Sequence, residues 1–321
     1  MWWFRRGLVY RYRYVLGGML LCAVLVSCGT GIEVTERVTD KDVKRVLEHS
    51  SGHQTAVTLE AYRDSLLAWQ RGKRFWVADD QVKQLFVHST EYDKDTLSLA
   101  GHVLEYVSHT TAGLFSDDAR YVEISLRDTA TGYTYVCRAG KAADVDRPGF
   151  TIPMLIDLDM VNHVARQIQD KDFYILTPIW YDIRTEQMTD GRHYIKVHID
   201  SVLPGNAVLP LRVIFTTRDN GEQVMVWMSS QSSTMHGRDF DALFSAADPH
   251  LSYPAISDET WKRITRGQLA VGMTKEECRL SVGAPKRISE NPDQGGMREY
   301  WYYDGGSYLY FIDGLLSQYR R

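Results

Sequence analysis

Cysteine and proline are scarce in this 321-residue chain, which has 4 of the first and 9 of the second. So few cysteines give no disulfide framework, and no Cys/His spacing fits a zinc site. Catalytic signatures are missing as well. There is no Gly-x-Ser-x-Gly elbow, no His-Glu-x-x-His, no phosphate loop and no dinucleotide-binding glycine fingerprint. Basic residues are not in excess: the formal net charge is −4, which argues against nucleic acid as a partner. The apolar run Val15–Val26 is too short to span a bilayer comfortably. These absences lead us to expect a non-enzymatic protein that uses no metal and no cofactor.

What is present at the front is an address. Arg5, Arg6, Arg11 and Arg13 make a basic start, and Val15–Val26 is the length of a signal-peptide core. It ends Leu25-Val26-Ser27-Cys28-Gly29, which resembles the bacterial lipobox. That resemblance implies cleavage before Cys28 and acylation of its thiol and new amine, so that fatty chains such as palmitate hold the protein on a membrane. Gly29, where an Asp would retain the protein in the inner membrane, favours the outer membrane. The expected location is thus the cell envelope, lipid-anchored, facing the periplasm or the surface. Removing 1–27 takes four arginines, so Lys+Arg falls from 37 to 33 against 41 acidic residues, a net charge near −8.

The remainder is long enough for two or three domains. We divide it into a tether (28–37), an N-terminal α+β module (38–149), a second β-rich module (150–247) and a C-terminal module (257–321), with Asp248–Pro254 as linker. Helical periodicity marks Lys41–Leu47, Leu59–Trp69 and Met154–Gln169. Period-two runs mark strands at Phe75–Val77, Leu97–Tyr106, Tyr121–Arg127 and Tyr133–Arg138, and again at Phe173–Tyr181, Tyr194–Val202, Leu211–Thr217 and Gln223–Met228. The two blocks read as a degenerate repeat. Their openers, Phe75-Trp76 and Phe173-Tyr174, are 98 residues apart, and Arg127-Asp128 and Arg218-Asp219 are 91 apart. Asp157 and Asp159 fall at a helix start, where dipole pairing is the plain reading. Cys137 and Cys278 could pair, but they fall in different modules, where two separate buried thiols are the expectation.

The last fifty residues carry the clearest local code. Thr274 and Glu277 have capping-box spacing, with Met273 and Cys278 as the apolar staple. Gly283 is a C-cap and Pro285 a stop. An earlier helix starts at Ser257, with Trp261 and Ile264 on one face. Aromatic runs at Arg298–Asp304, Ser307–Asp313 and Leu315–Arg320, broken by Asp-Gly turns, predict a three-stranded antiparallel meander. The pattern Gly272-Met273-Thr274-x-x-Glu277-Cys278, Gly283-x-Pro285, Trp301-x-Tyr303 and Leu309-x-Phe311-x-x-Gly314 resembles the SmpA/OmlA (BamE) lipoproteins of outer-membrane assembly. The resemblance covers about residues 257–321, and Cys278 stands where that family usually has an aliphatic residue. It implies a two-helix, three-stranded module in a lipoprotein that binds other envelope proteins.

The fold expected is therefore α+β: a β-rich middle, two small antiparallel modules with flanking helices, and the C-terminal module. The function expected is a non-catalytic protein-binding or assembly factor. The alternative is a glycan- or peptide-binding lipoprotein, or an inhibitor of an envelope enzyme. Alternation along the strand places Trp301 and Tyr303 on one side, with Phe311 as core, and leaves Tyr300, Tyr302 and Tyr310 as candidate partner contacts. If Cys28 carries the anchor, Cys28→Ala should remain unprocessed or become soluble. Unchanged maturation and detergent partitioning of that variant would overturn the lipobox reading.

Overall fold

The computed structural model describes residues 59–87, 98–112, 121–145, 148–230, 237–293 and 296–321, which all lie in one compact unit. Cys28, the tether and the expected helix at Lys41–Leu47 lie outside the described residues. The fold is α+β, with two curled antiparallel sheets flanked by helices and a third sheet beside two helices.

The first sheet comprises β1 (Arg74–Val77), β2 (Val103–Ala112), β3 (Tyr121–Asp128), β4 (Thr134–Lys141) and β5 (Leu155–Asp157), in the order β4-β3-β2-β1-β5. The second comprises β6 (Asp172–Ile175), β7 (Ile179–Tyr181), β8 (Met188–Asp190), β9 (Ile195–Pro204), β10 (Leu211–Thr217), β11 (Gln223–Met228) and β12 (Phe244–Ser245), in the order β12-β6-β9-β10-β11-β7-β8. Apart from the β7–β8 hairpin, the two orders are the same. The registers agree too. Phe75 faces Leu104 as Phe173 faces Val197. Val77 faces Leu155 as Ile175 faces Phe244, and Leu126 faces Tyr135 as Phe215 faces Val224. Even the β-bulge recurs: Val107 is skipped between Tyr106 and Ser108, and Asp200 between Ile199 and Ser201.

Bonds outside the ladders repeat as well. Gly72 N donates to Tyr106 O and Asp170 N to Ile199 O, both at 2.9 Å. Both donors have positive φ, 96° and 60°. Ala78 N donates to Met154 O at 2.9 Å, and Leu176 N to Leu243 O at 2.8 Å. A shared bulge, register and turn are not a general property of hairpins. The middle of the chain is therefore two copies of one five-stranded unit. The openers match as the sequence predicts, but the Arg-Asp pairs do not. Asp128 corresponds to Thr217, because Asp128 N bonds Tyr133 O as Thr217 N bonds Glu222 O.

The copies differ in the helix before the sheet. Helix α1 (Leu158–Ile168) buries Val161, Val164 and Ile168 against the second sheet. It is shorter than expected, because Asp157 is its N-cap and Leu155–Asp157 pairs with β1. In the first copy the predicted helix at Leu59–Trp69 is absent. The segment is non-helical except for a 3-10 turn at Leu66–Ala68. Its apolar spacing is right, with Leu59, Leu66 and Trp69 buried. Side chains of α1 take its backbone instead: Gln167 accepts from Glu60 N at 2.7 Å, and His163 Nε2 reaches Glu60 O at 2.9 Å.

The C-terminal module has helices α2 (Asp258–Ile264) and α3 (Lys275–Val282). Its sheet has four strands, not the predicted three: β13 (Arg287–Asp293), β14 (Gly296–Tyr302), β15 (Tyr308–Ile312) and β16 (Leu315–Arg320), in sequential order. The added strand, β13, is polar and contains Pro292, which an edge strand tolerates. The capping box is complete, and Gly283 has φ 84°. Met273, Cys278, Trp301, Leu309 and Phe311 form the core with Trp261 and Ile264. Cys137 and Cys278 are both free and buried, and burial pushes each thiol up to about 12.

Asp248–Pro254 is not a loose linker. Asp248 caps a 3-10 turn and accepts from Tyr174 OH at 2.9 Å. His193 fastens α2 to the second sheet, with its N bonded to Thr265 O at 3.1 Å and its Nε2 to Ile264 O at 2.6 Å. Thr274→Ala should lower stability by ~0.5–2 kcal/mol through the lost cap. Gly283→Val should cost more than ~1 kcal/mol through left-handed strain alone, since open space surrounds its Cβ position. Denaturant midpoints of the two variants check both values.

Candidate functional site

Two places concentrate chemistry. The first is the outer face of the C-terminal sheet. Its strands alternate, so Trp301, Leu309, Phe311 and Leu316 face the helices and are buried. A buried carboxylate joins them: Glu299 accepts from Lys275 Nζ and from Trp301 Nε1, which ties α3 to β14. Arg279 lies over the Trp301 ring at 5.1 Å. Residues of the other parity point away from the helices. Cross-strand register sets them in rows: Ser289, Tyr300, Tyr310, Gln318, and beside it Arg287, Tyr302, Tyr308, Arg320. Arg298 and Ile312 continue the array.

Tyr300, Tyr302 and Tyr310 are all on this face, as alternation predicts, and all are half-buried. Trp301 and Phe311 are core; Tyr303 is at the core's edge, donating from its OH to Gly283 O at 3.0 Å. The tyrosine rings stack on each other, Tyr300 on Tyr310 at 4.5 Å and on Tyr302 at 6.3 Å. Arg287 covers Tyr302 at 4.1 Å. Ring faces used this way are closed to sugar stacking. The charged side chains in these rows are all arginines. Aromatic content reveals the tyrosines from the sequence alone. Tyr308 and the arginines follow only once the register is known.

The second place is Lys73. Its side chain is buried at the start of β1. Nζ lies 2.9 Å from Asp64, 2.7 Å from Asp157 and 3.0 Å from Asp159, and donates to Tyr62 OH at 3.0 Å. The rings of Tyr62, Trp69 and Phe75 surround it at 5.5, 5.7 and 5.6 Å. Burial alone would lower the lysine, but bonds to Asp157, Tyr62 and Asp64 overcome it and hold the ammonium above its ordinary value. Burial also raises Tyr62, against its bond from Lys73. Both groups stay protonated at physiological pH, so neither is a base or a nucleophile there. Burial holds the Asp157 carboxyl above the usual range even with Lys73 beside it. The dipole reading of Asp157 and Asp159 is incomplete. Asp157 Oδ1 does accept from Asp159 N at 2.8 Å, but both carboxylates also serve Lys73.

Elsewhere Asp172 carries Arg218, His198 and Lys196 on the second sheet's surface, and the Arg218 guanidinium holds its carboxyl down at about 2. Among the described residues, no group of three or more His, Cys, Asp or Glu is arranged to hold a metal ion. Compared with known proteins, the chain matches no family model, no curated protein and no solved structure.

Lys73→Met would leave three carboxylates facing one another without a cation. It should cost ~3–5 kcal/mol at neutral pH. The deficit should shrink on acidification. A carboxyl whose folded pKa exceeds its unfolded value favours the folded state at low pH, and that advantage is lost as pH rises through the folded pKa. Urea midpoints of the variant and the parent at pH 7 and pH 5 test both statements.

Proposed function

We propose that the protein is an envelope lipoprotein that acts as a non-catalytic binding or assembly factor and docks another envelope protein on the outer face of its C-terminal sheet. The observation that carries this reading is the array of four tyrosines and three arginines on a sheet face turned away from its own helices. Tyrosine and arginine are, with tryptophan, the residues enriched at binding hot spots. The three arginines named on this face suit a partner with an acidic surface. The mutual stacking of the rings favours a protein over a sugar, which needs an open ring face. The resemblance of residues 257–321 to assembly lipoproteins and the lipobox at Cys28 support the same reading, and Gly29 supports the outer membrane.

Tyr300, Tyr302 and Tyr310 are the contact residues on this reading. The double variant Tyr300→Ser, Tyr302→Ser should lose more than about tenfold in partner affinity. Its cost in stability should stay near ~1 kcal/mol per lost cross-strand pair. Photo-crosslinking from position 310 in intact cells, with and without that variant, measures the first effect, and thermal melting measures the second. An acidic envelope protein captured only by the parent supports the proposal. Capture of glycan, or collapse of the fold with no partner recovered, overturns it.

A further inference from the structure

The joint between the second β-unit and the C-terminal module is built around one imidazole. His193 lies just before β9, is buried, and meets the last turn of α2. Its backbone N donates to Thr265 O at 3.1 Å, and its ring Nε2 lies 2.6 Å from Ile264 O. A carbonyl only accepts, so Nε2 carries a proton, and in the neutral ring Nδ1 then carries none. Both bonds cross from one module to the other. The next residue stays with its own sheet: Tyr194 N donates to Ile175 O at 2.6 Å.

A second proton, on Nδ1, would place a full charge inside this joint. Burial opposes that charge more strongly than the Ile264 carbonyl favours it, so the imidazole is held below its ordinary value. The surroundings offer no spare anion. The Tyr194 ring lies 4.4 Å away, and burial pushes its phenol up to about 12. Burial also raises Tyr253, ahead of α2, so both phenols are uncharged. Asp248 is taken by the His250 ring at 2.7 Å and by Tyr174 OH at 2.9 Å. Arg192, beside the histidine, is paired with Asp219. On α2 and its cap, the charges flanking the two accepting carbonyls are all positive. Arg263 is paired with Glu259, and Lys262 and Arg266 are exposed.

We propose that His193 is an acid-operated latch: the neutral ring fastens α2, and with it the C-terminal module, to the second β-unit, and protonation releases it. The inference is independent of what the tyrosine face binds. A buried ring kept neutral favours the fastened state above the free value of about 6.5, and that preference is lost as pH falls below it. Amide exchange of the full chain in detergent reads the latch directly, because the His193 N–H itself crosses the joint. Rates are corrected for intrinsic exchange at each pH and resolved to single residues by electron-transfer fragmentation. From pH 7 to pH 5 the protection of His193 should fall about tenfold or more, while Tyr194, bonded inside its own sheet, keeps its protection. Gln places a donor where Nε2 stands and does not titrate in this range, so His193→Gln should stay fastened and lose the acid response. In the parent chain, with its histidine rings labelled with carbon-13, the His193 resonance should titrate below the free value. Unchanged protection at pH 5, equal loss at His193 and Tyr194, the same loss in His193→Gln, or a His193 titration at or above the free value overturns the proposal.

Discussion

A lysine ammonium with almost no access to water has to be neutralised where it sits, and that constraint organises the middle of this protein. Lys73 draws together pieces of chain far apart in sequence: Tyr62 and Asp64 before β1, and Asp157 and Asp159 at the turn from β5 into α1. Asp157 serves twice, as helix cap and as counter-ion, so the start of α1 and the end of the first sheet are fixed by one side chain. The arrangement holds the two copies of the β-unit at a defined junction. A buried ion cluster of this kind adds little net stability compared with apolar packing. Its contribution is to forbid alternatives, since any other seating of the Tyr62–Asp64 segment strands a charge.

A shared unit supplies the frame, and the departures from it supply the individuality. Both copies keep the same registers, the same bulge and the same turn closure. The first copy replaces its leading helix with an extended segment that lies on the α1 of the second. The second inserts the β7–β8 hairpin, and the residues after it, His193 and Tyr194, receive α2. Tyr194 has φ 58° and its ring meets Trp261 at 5.9 Å. Each departure from the shared unit is thus a place where the unit touches something else.

How much of this was legible in the sequence follows the range of the interactions. The C-terminal helices were readable because Thr274, Glu277 and Gly283 act on neighbours three or four positions away. The sides of β14 were readable because alternation is local. Strand β13 was not, since Ile288 is the only aliphatic in a polar run that owes its pairing to β14. The helix expected at Leu59–Trp69 failed for a long-range reason: Gln167, 107 residues away, claims the backbone of Glu60. Lys73 did not stand out in the sequence, because its closest carboxylate lies in β5, across the whole first sheet in sequence. The repeat was visible in its openers and misaligned by two at its turns, where Asp128 and Thr217 do one job with different side chains.

The clamp on Glu60 also has a mechanical meaning. Leu59 is buried in the core of the second unit, not the first, and His163 and Gln167 grip the next residue. Tension applied through the residues before Leu59 therefore meets α1 before it meets β1. The load enters the molecule at a helix packed on the second sheet, ahead of the first sheet. Force applied ahead of Leu59 would therefore be borne first by the contact between this segment and α1.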